Sequence, residues 1–107
     1  MDSAPQMNEQ LSVSFLTNTL HASLPDLRQR YGLRDVWLFG SVVRGEASPD
    51  SDLDVLVTFD NQHLSLLEFI QLEQELSDLL QIKVDLIERD TLKPAIGKEI
   101  LREAIAV

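Results

Sequence analysis

Asp52-Leu53-Asp54-Val55-Leu56-Val57 is the segment that most limits what this chain can fold into. Apolar and β-branched residues predict a strand from Asp52 to Phe59, and strand side chains alternate between two faces. Asp52 and Asp54 therefore share one face, while Leu53, Val55 and Val57 share the other and supply the burial. Two ionised carboxylates side by side repel each other and gain nothing for folding. The pair is tolerable on a sheet surface when a cation neutralises it.

The rest of the chain predicts what surrounds this strand. From Asn8 to Leu24, Leu11, Phe15, Leu16 and Leu20 keep helical spacing, with Pro25 at the end or at a break. Asp26 to Tyr31 reads as a second helical piece stopped by Gly32. Val36-Trp37-Leu38-Phe39 is a short apolar run ending at Gly40, a buried strand with Trp37 and Phe39 expected in the core. Ser48-Pro49-Asp50 is turn chemistry. Ser65 with Glu68 three residues later fits a capping box, and Phe69, Leu72, Leu76, Leu79 and Leu80 form the face of the helix behind it. Ile82 to Ile87 predicts another strand, with Ile82, Val84 and Leu86 on one face and Lys83 and Asp85 on the other. Thr91 and Pro94 open a last helix with Ile96, Ile100, Leu101 and Ala104 on its face. The order helix, strand, short helix, strand, helix, strand, helix implies an α/β or α+β architecture: a small mixed sheet of at least three strands with helices packed on one side. No repeat or linker divides the 107 residues. A single domain is expected over 1–107, with residues 1–7 a loose tail.

Charge narrows the function classes. Eighteen acidic side chains stand against nine basic ones, a formal charge of −9. That disfavours a protein that grips long nucleic acid through its phosphates, or one that docks on anionic membranes. The absence of cysteine excludes disulfides and thiolate metal sites. No apolar run is long enough to span a bilayer and the first residues open no signal peptide, so a soluble cytoplasmic protein is expected. The excess lies in residues 44–90, where twelve acids face only Arg44, Lys83 and Arg89. A solvated acidic face explains such a count, and so do carboxylates gathered around divalent cations.

The arrangement assigns three of the twelve, Asp52, Asp54 and Asp85, to the second explanation and leaves the other nine to a solvated face or a basic partner. Mg²⁺ takes oxygen ligands and is usually completed by substrate phosphates, often as a pair of ions. Asp85, projecting from the polar face of its strand, is placed to join Asp52 and Asp54. Upstream, the apolar strand ends in Gly40-Ser41 before an expected short helix, which exposes backbone N–H groups and a hydroxyl suited to an anion. Arg44 offers a permanent cation to phosphates, Gly45 permits a tight turn, and Ser51 braces the start of the aspartate strand. Each piece alone has an ordinary structural explanation: a solvated strand, a turn, a surface arginine. The ordered set is far harder to explain that way.

Gly40-Ser41-x-x-Arg44-Gly45, five residues, then Ser51-Asp52-x-Asp54-x-x-Val57, resembles the active-site pattern of the DNA polymerase beta-like nucleotidyltransferase superfamily. Its smallest branch, the minimal nucleotidyltransferases (MNT), is the nearest match, with Asp85 in Lys83-Val84-Asp85-Leu86 at the position of the third carboxylate. The resemblance extends over about Leu33 to Val107 and implies the nucleotidyltransferase fold. It implies transfer of a nucleoside monophosphate, with AMP from ATP expected, to a hydroxyl with release of pyrophosphate, using Mg²⁺. Asp52, Asp54 and Asp85 would hold the metal ions, and Asp85 would help deprotonate the acceptor. Gly40 and Ser41 would hold the β- and γ-phosphates, with Arg44 supporting the phosphates or the loop.

Minimal members are also similar to the antitoxins of HEPN–MNT toxin–antitoxin pairs. That implies a helical HEPN ribonuclease as partner and one of its tyrosines as acceptor. Two rival readings share the sequence: a small-molecule nucleotidyltransferase of the antibiotic-modifying kind, and a non-catalytic module that neutralises a partner by binding it. His21 and His63 lack a metal-ligand partner at useful spacing and are expected at the surface or at helix ends. Ser41 has no nearby histidine to make it a nucleophile. Burial is expected for Tyr31.

Overall fold

Residues 12–60 and 64–107 are described by the structure, a computed structural model. The expected tail at 1–7, Leu11 and His63 lie outside them.

The first helix, α1 (Val13–Tyr31), starts where Ser12 accepts a hydrogen bond from the Phe15 N–H. It ends at Gly32, whose φ of 70° suits a left-handed cap. It passes through Pro25 without the expected break. Leu16, Leu20, Leu24 and Leu27 form one continuous buried stripe on both sides of the proline. An interior proline costs about 3 kcal/mol. Four buried leucines at about 1.5–3 kcal/mol each outweigh it. Phe15 is a correction: expected on the buried face, it is 39% exposed, because it sits a helical step of about 100° away from Leu16. His21 is exposed as expected, and Tyr31 is half-buried.

Four strands form one mixed sheet: β1 (Leu33–Phe39), β2 (Leu53–Phe59), β3 (Val84–Glu88) and β4 (Ile105–Ala106), in the order β3-β2-β1-β4. β1 runs antiparallel to β2 and to β4, and β2 runs parallel to β3. A parallel pair needs a crossover, which α2 (Leu66–Leu80) supplies. Both halves of the expected capping box are present at its start, between Ser65 and Glu68. A 3₁₀ turn (Arg89–Thr91) then leads to α3 (Pro94–Leu101), with Pro94 in the first turn.

α1 and α2 pack on one face of the sheet. The core joins their leucines to Leu33, Val36 and Leu38 of β1, to Leu53, Val55, Val57 and Phe59 of β2, and to Val84 and Leu86 of β3. A register irregularity between Leu33 and Asp35 lets Leu33 and Val36 point the same way. β3 is an edge strand, and its outward N–H groups are taken by α2. Val84 N donates to Ser77 Oγ and Leu86 N to Glu73 Oε2, each at 2.9 Å. The fit is geometric: four helical residues rise about 6 Å and two strand residues about 6.6 Å.

The other face carries rows of paired residues, Phe39–Asp54–Asp85 and then Trp37–Leu56–Ile87. Trp37 and Phe39 are therefore not in the helix-covered core, as their apolar run implied. They lie half-buried on the opposite face, where the Arg89 guanidinium sits 5.5 Å from the Trp37 ring centre. Several boundaries also differ: β1 begins at Leu33 rather than Val36, and β3 covers Val84–Glu88 rather than Ile82 to Ile87. The short helix expected after Gly40 is a single turn, closed by Arg44 N–H to Gly40 O and Glu46 N–H to Ser41 O. The last helix ends at Leu101, so Ala104 is not on its face, and Ile105–Ala106 form the unexpected β4 against Trp37 and Leu38. Within α3 only Gly97 is buried, so its apolar residues are not a core face, and Ile96 is 48% exposed. Among the described residues no helix is long and apolar enough to cross a membrane.

Candidate active site

Asp54 is the centre of the open face. Its neighbours across the ladder are Phe39 on β1 and Asp85 on β3. Adjacent strands lie about 4.8 Å apart, so the Asp54 and Asp85 side chains rise side by side. Asp52 stands one residue ahead of β2 rather than inside it, half-buried like Asp54, while Asp85 is exposed. Leu53 N–H donates to Lys83 O at 2.8 Å and ties the start of β2 to the approach to β3.

The backbone at Gly40 closes on this carboxylate. Gly40 has φ 88°, and a Cβ built on it would stand 2.0 Å from Asp54 Oδ2. With Asp54 as it lies a Cβ does not fit there, and the positive φ favours glycine. The Asp54 carboxyl is pushed above the usual aspartate range, first by burial and then by the negative charges of Asp85 and Asp52, with Arg44 pulling the other way. Asp54 thus lies within electrostatic reach of Asp85 and Asp52, the other two aspartates expected from the sequence.

The other expected residues surround them. Ser41 is half-buried in the turn after β1, and Gly45 closes that turn with φ 75°. Ser51 ties off the loop before β2: its Oγ accepts from Ser48 N–H at 2.8 Å and its N–H donates to Ser48 O at 3.0 Å. Arg44 donates through Nε to Glu46 Oε1 at 2.9 Å and through Nη1 to Glu103 Oε1 at 3.0 Å. A cavity of about 290 Å³ lies between this arginine, Phe39, Gly40, Asp54 and the α3 side of the molecule, where Glu99, Ile100 and Glu103 form the wall.

Among the described residues no three His, Cys, Asp or Glu side chains stand close enough to hold a metal ion as they lie. The donor set still suits Mg²⁺. It consists of hard carboxylate oxygens from register-matched positions, and a divalent cation would relieve the repulsion carried by Asp54. Sequence reasoning missed the carboxylate partners of Arg44 and the wall of this cavity. Glu46 lies two residues from Arg44 and was within reach of a local reading. Glu99, Ile100 and Glu103 carry no local signal, because only the fold returns the end of the chain to the end of β1.

A nucleotidyltransferase domain model matches residues 22–107. The chain belongs to the nucleotidyltransferase family. This nucleotidyltransferase is 45% identical over 97 residues to the protein adenylyltransferase MntA of Thermococcus cleftensis, covering 91% of this chain and 97% of that one. A solved structure described as a minimal nucleotidyltransferase is 40% identical, with a TM-score of 0.74 over 90% of this chain and 96% of that one. The fold also recurs in the complex of a tri-AMPylated Shewanella oneidensis HEPN toxin with its MNT antitoxin, with a TM-score of 0.61 at 20% identity, covering 85% of this chain and 70% of that one. The enzyme's resemblance to minimal nucleotidyltransferases, read first from Gly40 to Val57, therefore extends through sequence and fold.

Proposed function

We propose that this nucleotidyltransferase moves AMP from ATP to a tyrosine hydroxyl of a HEPN-type ribonuclease and acts as its antitoxin. The observation that carries the reading is the packing of Asp54 against Gly40, with Asp52 and Asp85 beside it. That arrangement gathers negative charge at the end of a strand whose turn can hold phosphates. The relative named as a protein adenylyltransferase, matched over 97% of its own length, supports a protein acceptor for a chain of this size.

Asp52, Asp54 and Asp85 would hold Mg²⁺, which neutralises phosphate charge and favours departure of pyrophosphate. Backbone N–H groups of the Gly40–Ser41 turn and the Ser41 hydroxyl hold the terminal phosphates. Ser51 keeps the loop before Asp52 in shape, and Arg44 supplies a fixed positive charge. The acceptor oxygen bonds to the α-phosphorus as the bond to the pyrophosphate oxygen breaks, and Asp85 takes the hydroxyl proton. The chemistry asks the protein for alignment and charge balance rather than for a covalent intermediate.

The test is to incubate the purified protein with Mg²⁺, α-labelled ATP and a HEPN protein encoded beside its gene. Label on a HEPN tyrosine, lost on chelation and with Asp52→Asn, is the expected result. Tight complex formation without transfer from any nucleoside triphosphate would overturn it in favour of neutralisation by binding alone. Label on a small-molecule hydroxyl but never on the protein would move the acceptor to that class.

A further inference from the structure

We propose that Glu103 is a positioning residue for the nucleotide site: it holds the Arg44 guanidinium at the lip of the Asp54 cavity so that the arginine meets the phosphates already aligned. The proposal rests on the nucleotidyltransfer reading and adds a residue that no part of the motif contains. Glu103 follows α3, 59 residues from Arg44 along the chain, yet accepts from Arg44 Nη1 at 3.0 Å. Glu46 accepts from Nε at 2.9 Å on another edge of the same planar group. Two carboxylates on different edges define the plane of a guanidinium, as a single partner cannot.

The location gives this contact a function beyond stability. Arg44, Glu103, Gly40 and Asp54 line one cavity, and the Arg44 charge is felt at the Asp54 carboxyl. Both partners are about half exposed, and an ion pair in that setting stabilises a fold by no more than about 1 kcal/mol. Holding a long, flexible side chain in one orientation is a different contribution. It removes, before binding, rotamer freedom that Arg44 would otherwise lose when phosphates arrive. Among the described residues Nη2 makes no hydrogen bond to either glutamate. β4 keeps this arrangement in place, because Ile105 and Ala106 pair with Leu38 and Trp37, just upstream of the turn that carries Arg44.

Binding of MgATP to the full chain, measured by calorimetry without any acceptor, separates this effect from transfer. Glu103→Ala is expected to weaken MgATP about tenfold, near 1.4 kcal/mol, and Glu103→Gln, which can still accept from Nη1, by less. In transfer assays the KM for ATP should rise by a similar factor, with a smaller change in kcat. In an Arg44→Ala background, Glu103→Ala should have no further effect, because its influence runs through the arginine. The ¹⁵N–¹H signal of Arg44 Nε should sharpen less and exchange faster with water in Glu103→Ala than in the wild type. Tighter MgATP binding by Glu103→Ala would show that Glu103 competes with the phosphates for Arg44, and would overturn the proposal. An equal loss with and without Arg44 would overturn it too. If the wild type binds no MgATP, the nucleotide reading falls and this inference with it; wild-type binding with an unaltered Glu103→Ala removes the inference alone.

Discussion

Gly40 and Asp54 compete for the same space: a Cβ on residue 40 would stand 2.0 Å from Asp54 Oδ2 and 3.0 Å from its Cγ. The turn after β1 and the carboxylate on β2 come from segments 14 residues apart, yet each sets the position of the other. A glycine in this motif therefore does two jobs. It adopts φ 88°, and it leaves room for the carboxylate whose charge is disfavoured by burial and by Asp85 and Asp52.

Gly40→Ala should both destabilise the protein and abolish transfer. A non-glycine residue at this φ and a contact this short together cost about 1–3 kcal/mol. Chemical denaturation measures the first effect and AMP transfer the second. Adding Asp54→Gly should recover part of the stability and none of the activity. Wild-type stability in Gly40→Ala would show that the two residues do not touch.

Asp54→Asn should remove transfer without weakening the fold. The Asp54 charge is disfavoured by burial and by Asp85 and Asp52, so removing it relieves repulsion, and the melting temperature in chelator should hold or rise. Asp52→Asn should likewise leave the fold intact. Loss of activity in each is expected to exceed about 100-fold, near 2.7 kcal/mol of barrier. Any rise in melting temperature that Mg²⁺ and ATP produce in the wild type should disappear in both variants. Full activity in either would remove the aspartates from the site.

Away from the cavity, Glu75 should govern part of the acid sensitivity. Hydrogen bonds from Arg30 hold its carboxyl below the usual range, against the effect of burial, and the Tyr31 hydroxyl also donates to it at 2.9 Å. A carboxylate with a lowered folded pKa contributes stability above its unfolded value of 4.5, and that contribution is lost as pH falls through the lower folded value. Glu75→Gln should therefore flatten the acid limb of the stability curve below about pH 4.5. At neutral pH it should cost at most about 1 kcal/mol, since Arg30 and Glu75 are partly exposed. An unchanged acid limb in Glu75→Gln would dismiss the assignment.

Glu73 and Ser77 should matter to activity from the far side of the sheet. They hold the outward N–H groups of Leu86 and Val84, the two neighbours of Asp85. Glu73→Ala and Ser77→Ala should each cost about 1 kcal/mol by equilibrium unfolding. Their combination should lower the rate of transfer more than MgATP affinity, because Asp85, which takes the acceptor proton in the proposed reaction, is displaced while the phosphate turn is not. Equal losses in affinity and rate would point to general loosening instead.

Much of the site is legible from local chemistry. Asp52-Leu53-Asp54 had to divide between two faces, and the burial of Leu53, Val55 and Val57 follows that division. Ser65 and Glu68 announce α2 because a capping box is a four-residue device. Where local rules met a longer apolar stripe they lost: Pro25 did not end α1, since its leucine face continues past the proline. Trp37 and Phe39 lie half-buried outside the helix-covered core, because a run of apolar residues does not reveal that the second face of a sheet is also partly covered.

Alternation, capping and glycine chemistry act over a few residues, and so the amino-acid sequence alone determined β1, β2 and β3 in outline, the side shared by Asp52 and Asp54, and the glycine-bounded turn after β1. Strand order, the parallel β2–β3 pair that sets Asp85 beside Asp54, and the return of Glu103 to Arg44 were decided only in the tertiary structure. These contacts join residues 31 and 59 positions apart, and their geometry depends on how the helices pack rather than on any local preference.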